Sequence, residues 1–269
     1  MNGFSQNEDK PSLEIYSSSE AYPEKWYSYH LGGGIINGEH KTILSLHLFP
    51  IKYRPALEEI EVANEFEVII DYTPPEKPLI AKDTYDLLII CPQEWENALQ
   101  PLVEHKEKHE IKTMVKTVED IIANYEGRDG AEKMKYCIKD MLETYGIKYV
   151  LLVGGKKSYL TGNWGYDGPT HHDDSLWYCP VRYVALDDNA EKGYISDLYF
   201  ADIYDDEGNF STWDTNGDGI FGSWSFKHGK DILDLYPDLY VGRLACRSLE
   251  ELQNVMDKIC LLYTSPSPR

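Results

Sequence analysis

Two apolar runs, Leu87-Leu88-Ile89-Ile90 and Tyr149-Val150-Leu151-Leu152-Val153, constrain this chain more than any other feature. A strand that is apolar on both faces must be covered on both, the condition of a parallel sheet between two helical layers. The sequence around the runs supplies those helices. Trp95, Ala98, Leu99 and Leu102 fall at helical spacing, with Pro101 implying a kink or a late helix start. Lys112 to Lys116 reads as a short strand. Thr117, with Asp120 three residues on, resembles a cap for a helix over 118–124. Ala131, Met134, Ile138, Met141, Leu142 and Tyr145 mark a longer amphipathic helix that stops at Gly146. Leu239-Tyr240-Val241 is a further strand, and Ser248 with Glu251 caps a last helix running to Ile259. The fold class expected is α/β, with repeated strand–helix–strand units building a parallel sheet.

Upstream the period changes to two. Thr42, Leu44, Leu46 and Leu48 oppose Lys41, Ser45 and His47, and Phe66, Val68, Ile70 and Tyr72 oppose Glu65, Glu67 and Asp71. Such alternation predicts half-buried antiparallel strands, hence a small β-sandwich-like domain. Gly32-Gly33-Gly34 and Asn37-Gly38 offer turn chemistry. Thr73-Pro74-Pro75-Glu76-Lys77-Pro78 interrupts both patterns, because proline removes ladder donors and stiffens the backbone. The expected organisation is a β domain over 1–73, a Pro-rich linker over 74–79 and the α/β domain over 80–259.

Charge and cysteine usage exclude several classes. A formal net charge of −20 opposes binding to nucleic acid or an anionic membrane surface. No stretch of this chain reaches the roughly 18 apolar residues of a membrane span, and residues 1–10 have no apolar signal-peptide core. Five cysteines without a CxxC spacing argue against a disulfide framework or a zinc ribbon.

The segment from Gly154 to Asp238 is long, little periodic and rich in Asp, Gly, Tyr and Trp; such a segment is functional or held by something other than a core. Within it Asp214-Thr215-Asn216-Gly217-Asp218-Gly219 places oxygen side chains at positions one, three and five and glycine at six. That is the first half of an EF-hand-type calcium loop, with Ser225 where the bidentate glutamate belongs. Asp197, Asp202, Asp205, Asp206, Glu207, Asp231, Asp234 and Asp238 crowd the same region against Lys227 and Lys230 alone, a balance that calls for a cation. The candidate metal ligands are Asp202, Asp214, Asn216, Asp218 and Asp238, with calcium as the expected ion. His171-His172-Asp173-Asp174 lacks a partner motif and reads as a solvated loop. Val153-Gly154-Gly155-Lys156-Lys157 fits neither dinucleotide nor P-loop glycine spacing, so a nucleotide is not expected. Cys91 and Cys137 look like packing thiols, and nothing in the sequence pairs Cys179 or Cys246 with His228.

Taken in order, Tyr85–Pro92, Ile111–Asp120, Tyr149-Val150-Leu151-Leu152-Val153-Gly154, Ser196-Asp197-Leu198-Tyr199 and Asp238-Leu239-Tyr240-Val241-Gly242-Arg243-Leu244-Ala245-Cys246 resemble the gingipain-type cysteine peptidases of the caspase-like fold. Tyr22-Pro23-Glu24-Lys25-Trp26 and the β region after it resemble the N-terminal domain of archaeal-type members, at the position of an inhibitory propeptide in better-known ones. The resemblance implies an endopeptidase acting on proteins through a His–Cys dyad, both members lying downstream of the Val-Gly-Arg strand. No catalytic residue is therefore assigned in this chain. It also implies structural calcium, with Asp238 in a ligand position and Gly155 where the family has an aspartate, and an extracellular or cell-surface setting. Cys260 to Arg269 resembles the translation of a transposase-type sequencing adapter, so the peptidase sequence is expected to break off at Ile259. The alternative function is a calcium-stabilised, non-catalytic surface or adhesion module on the same fold.

Overall fold

The computed structural model describes residues 16–36, 39–73, 85–157, 174–184, 194–205, 207–225, 229–233 and 235–264. Asn37-Gly38, Pro74 to Pro78, His171 to Asp173, Asp206, Lys227, His228 and Asp234 lie outside them. The chain divides into two units, residues 1–31 with 44–75, and residues 32–43 with 76–269.

The first four strands pair in twos, residues 32–36 of the first and 39–43 of the second belonging to the second unit and the rest to the N-terminal one. β1 (Tyr27–Ile36) pairs with β2 (Glu39–Leu48), and β3 (Ile51–Arg54) runs antiparallel to β4 (Glu59–Val62). The alternating stretch from Phe66 to Tyr72 forms no strand, and apart from the half-buried Phe66 its apolar side chains are exposed, Ile69 at 75% and Tyr72 at 82%. That stretch pairs with no neighbouring strand, and period-two patterning by itself does not make a ladder. Lys52 is the buried side chain among those described here, its Nζ donating to the Glu24 carbonyl at 2.5 Å and lying over the Trp26 ring. Gly32 and Gly34 do not make a turn; they sit inside β1. A Cβ at Gly32 would strike the Tyr236 ring, and one at Gly34 would crowd Ile43 and the Pro237 carbonyl, so close approach explains these glycines.

The second unit is built on a four-stranded parallel sheet. β5 (Leu87–Cys91) is central, flanked by β6 (Thr113–Thr117) and β7 (Tyr149–Val153). Two-residue pairs β8 (Tyr183–Val184) with β9 (Tyr194–Ile195) and β10 (Trp224–Ser225) with β11 (Gly229–Lys230) punctuate the long segment that follows. The sheet resumes with β12 (Tyr240–Leu244), which joins the outer side of β7 to give the order β12-β7-β5-β6.

Alternate residues of the apolar strands feed two cores. Leu88, Ile90, Val150 and Leu152 face Val118, Ile121, Met134, Ile138, Met141 and Leu142 from α2 (Val118–Asn124) and α3 (Gly130–Tyr145). Leu87, Ile89, Cys91 and Val153 face Leu102 of α1 (Gln100–Lys108) and Leu252 and Met256 of α4 (Leu249–Thr264), with Trp95 and Leu99 beside them. Each of these side chains contributes about 1.5–3 kcal/mol by leaving water.

The local signals act where the sequence puts them. Pro101 occupies the first turn of α1, whose preceding residues Gln93–Leu99 form a 3-10 helix, so the helix starts late instead of kinking. Thr117 Oγ1 accepts from the Asp120 amide at 3.2 Å, Ser248 Oγ accepts from the Glu251 amide at 3.1 Å, and Gly146 ends α3 at φ 72°. α4 continues past Ile259 as far as Thr264.

The long segment also has a core of its own. Tyr199, Phe200, Ile203, Trp213, Phe221 and Leu239 are buried and join the α2–α3 core. Through them runs the Arg182 guanidinium, with no exposed surface. It gives two 2.8 Å bonds to Asp129, the N-cap of α3, and one of 3.2 Å to the Tyr199 hydroxyl, with its plane 3.6 Å from the Phe221 ring centre. Asp129 to Ala is expected to lower stability by about 3–5 kcal/mol, the loss seen when one partner of a buried pair is removed, with about 1 kcal/mol more for the lost cap. Urea unfolding of both proteins measures the difference.

Candidate functional site

Several acids of the segment are met by basic side chains drawn from elsewhere in the chain, Asp197 by Arg243, Asp214 by Arg128, and Asp202 with Asp238 by Lys135. Asp202 is fully buried and accepts from Ser211 Oγ at 3.2 Å and from the Trp213 indole. Asp238 Oδ2 accepts the amides of Ile203 and Tyr204 at 2.7 and 2.9 Å, and burial pushes its carboxyl up to about 6. Between these two acids the field falls on Lys135 of α3. Its ammonium donates to the Ser211 carbonyl and lies 4.2 Å from the Tyr199 ring centre and 5.3 Å from that of Phe210. Complete burial lowers Lys135 to about 7, against the opposing pull of Asp202.

The Asp214 loop forms a second cluster. Asn216 Oδ1 accepts from the Asp218 amide at 2.9 Å, Asp218 Oδ1 from Ile220 at 2.8 Å and Asp214 Oδ2 from Gly219 at 3.2 Å. Buried Asp231 holds the loop from behind, taking the amides of Thr215 and Ser223, both at 2.7 Å. Arg128 caps the cluster, pairing with both Asp214 and Glu132. Of the five expected ligands, the structure thus groups Asp202 with Asp238 and Asp214 with Asn216 and Asp218. Among the described residues no three His, Cys, Asp or Glu side chains converge as metal ligands do. The loop itself offers two carboxylates and one amide oxygen.

A third anchor is Arg243 of β12. It donates to the carbonyls of Gly154, Cys179 and Pro180, each at 3.0 Å, and makes a two-pronged pair with Asp197 at 2.8 Å. One guanidinium thereby ties the start and the middle of the long segment to the sheet. At Gly155 a Cβ would meet the Ala245 carbonyl, so this position has no room for a carboxylate.

Sequence reasoning missed Arg128, Lys135, Arg182 and Arg243 as organisers. The available signal was a surplus of basic residues on apolar-patterned or strand positions, Lys135 inside the α3 stripe above all.

None of the described thiols is arranged for attack. Cys91, Cys137, Cys179 and Cys246 are buried and unbonded to one another. Burial raises Cys91 to about 12 and Cys137 and Cys179 to about 11, and Cys246 shifts the same way. The neighbours acting on them are carboxylates, Lys116, Arg243, Tyr125 and each other, with no described histidine among them.

A protein-family model, Peptidase family C25, matches residues 80–268. The chain belongs to this family, that of the gingipain-type cysteine peptidases. Among solved structures it is similar to a complex of Porphyromonas gingivalis RgpB pro- and mature domains, at 19% identity over 64% of this chain and 28% of that one, with a TM-score of 0.36. It is similar also to the Arg-specific cysteine proteinase gingipain R (RGPB), at 20% identity over 68% and 29% with a TM-score of 0.38. A further protease structure matches at 16% identity over 66% and 28%, with a TM-score of 0.37. The chain spans less than a third of each of those chains. No curated protein matches it. In this C25 chain, no helix among the described residues is long and apolar enough to cross a membrane.

The buried thiols give a direct test. With Cys260 changed to Ser, a thiol-titrating disulfide reagent at mildly alkaline pH should label none of the four remaining cysteines before denaturant and all four after it. Rapid labelling of any one in the native protein would contradict its burial.

Proposed function

We propose that this chain is the N-terminal part of a C25 peptidase domain, belonging to a cysteine endopeptidase that cleaves protein substrates outside the cell. The match to the family over residues 80–268 carries this reading. The chain supplies the scaffold: a parallel sheet covered on both faces, and a long connection pinned by Arg182 and Arg243. Catalysis then falls to a histidine and a cysteine that this chain does not contribute, in keeping with four described thiols that burial holds protonated. Those same thiols suit a second reading, a non-catalytic surface module on this fold.

A structural calcium ion belongs to the proposal. Asp214, Asn216 and Asp218 would hold it, together with the Ile220 carbonyl at loop position seven. Hard oxygen donors suit calcium, and Asp214 Oδ1 is buried with no hydrogen-bond partner, an oxygen left for a cation. When bound, the ion supplies charge neutralisation and holds the loop closed. Asp202 and Asp238 serve instead as partners of backbone amides, Trp213 and Lys135.

The gene continued past this chain and the 269-residue chain alone are to be assayed on fluorescent casein. Hydrolysis by the longer protein, abolished by thiol alkylation, and none by the shorter is the expected pattern. Thiol-dependent hydrolysis by the shorter chain would overturn the assignment of roles; inactivity of both would favour the non-catalytic module.

A further inference from the structure

The Asp214 loop already holds a positive charge. Arg128 immediately precedes the N-cap of α3 and gives Nη1 to Asp214 Oδ2, while Nε and Nη2 reach Glu132 Oε1 at 2.9 and 2.7 Å. Its guanidinium lies 4.5 Å from the Phe221 ring centre. The two ends of the Asp214 pair differ sharply in exposure: 1% for the Asp214 side chain, 43% for that of Arg128. The acid is fixed in the interior and the base reaches it from the surface. Asp214 Oδ1, meanwhile, is buried and accepts nothing.

We propose that Arg128 is the resident counter-cation of the Asp214 loop and that a divalent cation displaces it, guanidinium and ion competing for one carboxylate. The proposal rests on the calcium reading above. A buried carboxylate needs a neighbouring positive charge, and the loop meets that need from Arg128 when no ion is present. Once an ion sits on Asp214, a second cation against the same carboxylate is repelled by it. Arg128 can yield at small cost, since its bonds to Glu132 and its stacking on Phe221 do not depend on Asp214. It also lines an open groove of about 620 Å³ with Glu126, Glu132, Asp140 and Glu143, the last paired with Lys139. Exchange would thus leave its charge balanced by Glu132 and this acidic groove instead of by the loop.

Terbium and then calcium are titrated into the full chain, with terbium luminescence sensitised through Trp213, the residue before Asp214. Arg128→Ala should bind calcium about tenfold tighter than the parent, the effect of removing one charge-assisted competitor. Arg128→Lys, which keeps a charge but loses the fork, should fall between, and carries the comparison if the alanine variant does not fold. Asp214→Asn should lose uptake in either background. A second readout separates competition from simple packing: the fall in Tm caused by Arg128→Ala should be large with chelator and small in saturating calcium, whereas a purely structural arginine lowers Tm equally in both. Uptake by the variant alone would support the exchange in its strongest form. Equal affinity of parent and variant would overturn the exchange and leave the calcium site standing. No uptake by parent or variants would remove the calcium site, and the exchange with it.

Discussion

A guanidinium sealed from water, Arg182, is the constraint around which the rest of the second unit is arranged. Removing such a group from solvent costs several kcal/mol unless its charge and its donors are met. Asp129 meets the charge with two parallel bonds, the Tyr199 hydroxyl takes a third, and the Tyr199 and Phe221 rings cover the plane. Every partner comes from a different stretch of sequence: the N-cap of α3, the 3-10 turn Asp197–Phe200 and the segment after the Asp214 loop. Satisfying one side chain therefore fixes three segments at once. The same Tyr199 ring also has the Lys135 Nζ 4.2 Å from its centre, so a single aromatic residue packs against two buried basic side chains.

Arg243 does the corresponding work at the sheet. A strand at the end of the order β12-β7-β5-β6 has a partner on one side, and its arginine turns to the connection it closes. Carbonyls at Gly154, Cys179 and Pro180 would otherwise be acceptors buried without donors, each costing about 1–3 kcal/mol. The Val-Gly-Arg sequence is thus intelligible as a strand whose arginine meets those carbonyls and the Asp197 carboxylate together, a task for a planar fork that a lysine could not perform.

The sheet was legible because its signals are local and redundant. Leu87 to Ile90 and Tyr149 to Val153 can only be strands covered on both faces, and Thr117, Ser248 and Gly146 mark helix ends by chemistry acting within four residues. The N-terminal unit was less legible because alternation states which side chains share a face, not whether a partner strand exists; Phe66 to Tyr72 has the pattern and lacks the partner. Gly32 misled for a related reason, since a glycine chosen for close approach looks like one chosen for a turn until Tyr236 is placed beside it. The site was legible as composition and not as pairing. Counting acids against bases inside the acidic segment alone suggested a deficit of positive charge, while the charges that meet it stand 86 residues away at Arg128, and 46 residues separate Asp197 from Arg243.

Those pairings also decide which acids remain open to exchange. Lys135 lies wholly inside the protein, within reach of three aromatic rings, while Asp202 Oδ2 takes the Trp213 indole and Ser211 and Asp238 Oδ2 takes two backbone amides. An ion entering there would have to expel a buried amine and break amide bonds that position the chain at Ile203 and Tyr204. At Asp214 the resident cation stands partly in solvent and is held elsewhere by Glu132. Two acidic clusters of similar composition therefore differ in kind: the first is a closed part of the core, and the second is a buried carboxylate whose counter-charge stands at the surface.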